Sequence, residues 1–159
     1  MPTATRGESR VTIAANPDAV YDLIADITRI GELSPECYRA EWVGGATHAE
    51  VGARFKGHNR IGPIRWATTC VVTKADRGRE FAFTVLSPKD REETVWRYVL
   101  AADGDGTTVT ESYEFLWCPW LARVAEIPFP RDKQLRRGIE RTLAMLKTAA
   151  EASATVSRP

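Results

Sequence analysis

The sequence predicts an α+β domain in which a curved antiparallel sheet of about seven strands wraps around a long C-terminal helix, with two short helices after the first strand. Three observations lead there. Residues 38–116 carry a run of alternating segments separated only by short turns, and short turns join antiparallel neighbours. Two short helical patterns stand between the first strand and that run. A long amphipathic pattern closes the chain after Pro130.

The first strand is expected over residues 8–15, where Val11 and Ile13 alternate with Arg10 and Thr12. Asn16-Pro17-Asp18 then supplies a helix start: Asn caps, Pro suits the first turn, and Asp favours the positive end of the helix dipole. Val20, Leu23, Ile24 and Ile27 form its apolar stripe. Asp26 is placed to cap a second short helix carrying Ile27, Ile30 and Leu33, which Ser34-Pro35 ends. Strands follow at 38–44, 52–60, 63–75, 79–87, 92–102 and 106–116. Gly44-Gly45, Gly62-Pro63, Asp76-Arg77-Gly78, Ser87-Pro88 and Asp103-Gly104-Asp105-Gly106 punctuate them. From Arg131 to Ala152, Leu135, Ile139, Leu143, Leu146 and Ala150 give one helix with a single apolar face. Gly138 interrupts it, either leaving room beside a cavity or serving as a tolerated surface or close-packing glycine. One domain is expected over 8–153, with flexible termini at 1–7 and 154–159. If the helix does not fill the concave side of the sheet, the remainder is a cavity.

Composition bounds the function. At 159 residues, 43% hydrophobic and 27% charged, the chain fits one globular domain. A net charge of +1 argues against a nucleic-acid partner, which calls for a basic excess. The N-terminal MPTATRGESR has no apolar stretch of the signal-peptide kind, and no run suits stable membrane insertion. Cys37, Cys70 and Cys118 are odd in number and far apart, as reduced thiols are, so a cytoplasmic protein is expected, as monomer or homodimer. Neither the two histidines, His48 and His58, nor the cysteines show zinc-site spacing. G-x-S-x-G, P-loop, G-x-G-x-x-G and Cys-x-x-Cys motifs are absent too, so no cofactor is implied.

Residues 8–153 resemble the START-like, helix-grip (SRPBCC) superfamily, and within it the bacterial polyketide cyclase/dehydrase-like group. The resemblance is carried by NPDAVYDLIADITRIGELSPE, VGARFKGHNRIG, the WRYVL and DGTTVTESYEF strands, and the closing helix. One departure is Leu33, where members often place Trp before the Ser-Pro. The resemblance implies a deep apolar cavity between sheet and C-terminal helix, holding lipids, polyketides or other hydrophobic small molecules. Some relatives are aromatase/cyclases, many are binders or carriers, and some are linked to toxin–antitoxin pairs.

Candidate site residues follow from strand alternation. If Val109, Tyr113 and Phe115 face inward, Glu111 does too, and an apolar setting would suit it to acid/base work or to bonding a ligand hydroxyl or carbonyl. The alternatives are a reversed register, with Thr108, Thr110 and Ser112 inside, and a structural pair with an arginine. Phe55, Gly57 and Asn59 share one face of their strand, opposite Arg54, Lys56, His58 and Arg60. The charged set meets water, so Phe55 and Asn59 are expected at the cavity and His58 at the surface. Trp66, Phe83, Trp96, Tyr98 and Tyr113 are the aromatic lining candidates, with core packing as the alternative for each. Tyr98 and Tyr113 carry hydroxyls that could orient a ligand. Ile139 and Leu143 are the helix's ligand-side candidates.

Residues 117–130, with Trp117, Trp120, Leu121, Ile127 and Phe129, are read as a loop packed on the sheet edge, a lid, or a membrane-touching segment. Arg131, Lys133, Arg136, Arg137 and Arg141 make the outer helix face basic, a solvated face or one for an acidic partner. Three functions are thus in view. The first is a binder or carrier of a hydrophobic small molecule. The second is a cyclase/dehydrase using Glu111 with Tyr98, Tyr113 or Asn59, and the third is a protein-interaction or toxin-like role.

Overall fold

The computed structural model describes residues 6–117 and 131–156. The order is β1 (Arg6–Ile13), α1 (Pro17–Ala25), a 3-10 turn (Ile27–Arg29), α2 (Ile30–Leu33), then β2 (Cys37–Val43), β3 (Arg54–Ile61), β4 (Ile64–Asp76), β5 (Glu80–Leu86), β6 (Glu92–Asp103) and β7 (Gly106–Phe115), and finally α3 (Arg131–Val156). All strands join one antiparallel sheet in the order β1-β7-β6-β5-β4-β3-β2. β2 to β7 form a meander, and β1 adds itself to the outer edge of β7. Regular structure exceeds the expected 8–153 span at both ends. Arg6 and Gly7 already pair with Glu114 and Tyr113, while α3 continues to Val156.

Local chemistry explains the elements. Asn16 accepts from the Ala19 N–H at 2.8 Å with Pro17 opening the helix, so α1 starts where a capped start was expected. Asp26 ends α1 and accepts from the Thr28 N–H, which begins the next turn at once. The second predicted helix is thus split into a 3-10 turn and the four-residue α2. Register shifts at Cys37/Arg39, Val72/Lys74 and Val85/Leu86 mark bulges, which bend strands and increase their twist. These bends help curl the sheet round α3.

The helix is anchored by its second half. Lys147 Nζ donates to the Thr12 carbonyl at 3.0 Å, and the Ala14 N–H donates to Glu151 Oε1 at 3.0 Å. Leu143, Leu146 and Ala150 are buried there and share one core with Ile13, Val20, Ile24, Phe81, Leu100 and Val109. On the other side of α1, Arg77 in the β4–β5 turn forks onto Asp22 at 2.9 and 2.7 Å and reaches Asp18 at 3.3 Å. That end of the sheet is therefore filled and clamped. Among the described residues no helix is long and apolar enough to cross a membrane.

Candidate functional site

Towards the first turns of α3 the core opens into a cavity of about 270 Å³. Its walls follow from strand pairing, since residues directly opposite one another share a face. Asn59 pairs with Trp66, Gly57 with Thr68 and Phe55 with Cys70. Phe83 pairs with Trp96, and Tyr98 with Glu111. All ten line the hollow, and Ile139 closes it from the helix. The rings of Phe55 and Phe83 meet edge to face with centroids 5.1 Å apart.

Glu111 is the chemical centre of this wall. It is 2% exposed, so the strand faces inward as the Val109–Tyr113 alternation requires, and the reversed register is not the one adopted. Its partner is not an arginine: Tyr98 Oη donates to Oε1 at 2.8 Å. Oε2 is buried with no hydrogen-bond partner among the described residues. Burial pushes the carboxyl up to about 8, against the opposing pull of the Tyr98 hydrogen bond. Burial, and then the charge of Glu111, push the Tyr98 hydroxyl well above its ordinary range. At neutral pH the pair is thus a carboxylic acid beside a phenol.

Two further polar contacts shape the wall. Asn59 Nδ2 donates to Thr68 Oγ1 at 3.4 Å, and Thr142 Oγ1 donates to the Gly138 carbonyl at 2.9 Å. Gly138 lines the cavity, and a Cβ built there would meet nothing within 4 Å, so close packing does not explain this glycine. A Cβ on Gly57 would make ordinary contacts, 3.4 Å to Cys37 Sγ and 3.5 Å to Thr68 Oγ1. A longer side chain at either position would enter the cavity.

Two candidates lie elsewhere. Tyr113 points inward but does not line the cavity. Its partner across the sheet is Gly7, whose missing side chain lets the Tyr113 ring lie over β1 beneath Trp96 and Phe115, with centroids 5.6 and 5.5 Å away. Leu143 is 2% exposed but belongs to the filled half of the core, one turn beyond Ile139. His58 is on the outer face, Nε2 lying 3.0 Å from Glu41 Oε1 and 3.1 Å from an Arg39 Nη2. Lys133, Arg136, Arg137 and Arg141 are exposed along α3. Trp117 is exposed, with the Arg91 guanidinium 4.7 Å from its ring centre, while residues 118–130 of the suggested lid lie outside the described residues.

Other wall residues carry weaker signals in the sequence. Thr68 and Cys70 share the Trp66 face of β4, so alternation alone would have found them. Cys37 reaches the cavity through the bulged start of β2, which no local pattern announces. Burial pushes the Cys37 thiol up to about 11 and the Cys70 thiol up to about 12.

Residues 4–151 match the family described as polyketide cyclase / dehydrase and lipid transport. The chain belongs to this family. Among solved structures it is similar to Cgl2372 of Corynebacterium glutamicum, a polyketide-cyclase-like protein, at 30% identity and a TM-score of 0.63 over 99% of this chain and 98% of that one. It also shares its fold with StfQ, a di-domain ARO/CYC from the steffimycin biosynthetic pathway, at 14% identity and a TM-score of 0.74. That likeness covers 95% of this chain and 52% of StfQ. DynU16, a protein of the dynemicin biosynthetic locus, gives 14% identity and a TM-score of 0.63 over 94% of this chain and 48% of its own. No curated protein matches the chain. The polyketide cyclase/dehydrase family accounts for the sheet and its gripping helix, and leaves the chemistry of the hollow to be argued from its own residues.

Proposed function

We propose that this family member binds a hydrophobic, polyketide-like small molecule in the cavity between the sheet and α3, as a carrier or sequestering protein. One observation carries the reading: a hollow of about 270 Å³, walled by Phe55, Trp66, Phe83 and Trp96, with a buried acid in it. Protein interiors ordinarily close such space, and small-molecule sites begin near about 300 Å³. Membership of the polyketide cyclase/dehydrase and lipid transport family supports the ligand class.

Native mass spectrometry of freshly purified protein, followed by solvent extraction, tests it. A reproducible bound mass that is lost in Gly57→Leu, whose side chain fills the cavity, is the expected result. An empty protein with no thermal shift on adding aromatic polyketides, ketones or lipids would overturn it.

The Tyr98–Glu111 pair favours a second reading, an aldol cyclase or dehydrase. A neutral carboxyl next to a phenol can give a proton to a carbonyl or hydroxyl oxygen, while the cavity folds a chain into a reactive shape. Turnover lost in Glu111→Gln while ligand still binds would establish it, and the absence of turnover with every bound polyketide would leave the carrier reading.

A further inference from the structure

The described residues of the cavity wall carry charge of one sign. Among the described residues that line it, the ionisable side chains other than thiols and the Tyr98 phenol are Glu36, Glu93 and Glu111, and none is Lys, Arg or His. Glu36, which follows exposed Pro35, and Glu93 are half-buried, whereas Glu111 lies fully inside. A ligand carboxylate entering this hollow finds no cation on the described wall, and burying a charge without a partner is strongly unfavourable.

The hydrogen-bond inventory at Glu111 is equally specific. Oε1 already accepts from Tyr98, and Oε2 has no partner among the described residues. In the neutral acid the oxygen taking the Tyr98 proton acts as the carbonyl and the other bears the hydrogen. That hydrogen needs an acceptor, and an uncharged ligand oxygen supplies one.

We propose that the cavity selects uncharged hydrophobic molecules that present a carbonyl oxygen to Glu111 Oε2, and that it turns away their carboxylate counterparts. The inference rests on the cavity being the binding site, as proposed above. The raised carboxyl, at about 8, supports it by keeping Glu111 a donor near pH 7. The other titratable groups on the described wall are Tyr98 and Glu93 from β6, Cys70 from β4, Cys37 from β2, and Glu36 just before β2. The described side chains of α3, β3 and β5 present none there. Burial holds Tyr98 and both thiols above their ordinary ranges, so none of the three loses its proton below the Glu111 transition.

Four probes of one ring system test the selection by equilibrium dialysis: naphthalene, 2-acetylnaphthalene, 2-naphthoate and 2-(aminomethyl)naphthalene. At about pH 6 the ketone is expected to bind roughly tenfold tighter than naphthalene, the value of one buried hydrogen bond, and the carboxylate more weakly than naphthalene. The ketone's advantage should disappear as pH rises through about 8, while naphthalene binding stays level. In Glu111→Gln that pH dependence should vanish. Equal affinities of ketone and naphthalene, or tightest binding by the carboxylate or the amine, overturn the selection and leave the cavity reading standing. If none of the four binds, the cavity reading fails and the selection with it. The four-probe comparison on the unaltered protein decides the matter even if the Gln variant folds poorly.

Discussion

The Tyr98 hydroxyl donates to Oε1 of Glu111 at 2.8 Å, across a directly opposed pair of β6 and β7. The bond satisfies one carboxyl oxygen of a side chain that is almost wholly buried. Removing the hydroxyl in Tyr98→Phe leaves both oxygens without a protein donor. The variant should lose about 1–3 kcal/mol in urea unfolding near pH 6. The Glu111 carboxyl should also titrate higher than in the parent, because the hydrogen bond holds it down. Carbon-13 NMR of the side-chain carboxyl checks this, and an unchanged titration would mean the contact does not persist in solution.

Glu111 makes stability depend on pH in a definite window. Its folded value, about 8, lies above the ordinary 4.5, so the folded state holds the proton more tightly than the unfolded chain. The full contribution is present below about pH 4.5 and is lost as pH rises to about 8, at up to about 1.4 kcal/mol per pH unit. The exposed acids act elsewhere: Asp22, held low by its Arg77 hydrogen bonds, loses its contribution only as pH falls below the ordinary carboxylate range. Denaturation midpoints should therefore decline between about pH 5 and pH 8, and Glu111→Gln should flatten that decline. A parent protein equally stable at both ends contradicts the assignment.

Much of this was legible in the sequence, and the reasons differ by residue. Period-two alternation in β3 and β7 put Phe55, Asn59 and Glu111 on their correct faces, because a pleated strand leaves no other choice once one face is buried. The Asn16-Pro17 start and the long α3 stripe were equally plain. Tyr113 was misplaced because its position depends on Gly7, a residue more than a hundred positions away whose empty site the ring occupies. Leu143 was misplaced because a helical stripe says which side is buried, not which turn of it meets a hollow. The bulge that brings Cys37 inward depends on β2–β3 pairing and has no local signature.

Gly138→Ala separates helix propensity from packing. The added methyl points into open space, so the variant should gain up to about 1 kcal/mol, read as a higher melting temperature. A loss of stability would mean that the cavity closes over that position in solution.

Leu143→Ala offers the contrasting case. Its side chain sits in the filled half of the core, and its removal should lower unfolding free energy by about 2–5 kcal/mol. Ligand affinity measured well below the variant's melting temperature should change little, unlike in Gly57→Leu.

The cavity thiols provide a chemical readout. In a Cys118→Ser background only Cys37 and Cys70 remain, and both are raised by burial, to about 11 and about 12. Iodoacetamide should modify them far more slowly than a free thiol at pH 8, since the thiolate is the nucleophile. A bound ligand should slow Cys37 further. Rapid modification of both would show that the cavity opens readily.

The pairing of β1 with β7 has a consequence for how the protein is made. Val11 faces Val109, so the strand synthesised first closes the sheet against the strand synthesised last. Until β7 has left the ribosome, β6 has a bare edge, and until α3 follows, the apolar face meant for it is uncovered. Contacts that distant in sequence place the domain among the slower folders, on the scale of milliseconds to seconds. The hollow is enclosed only when the final helix docks, so a ligand present during synthesis could be captured as the helix closes over it.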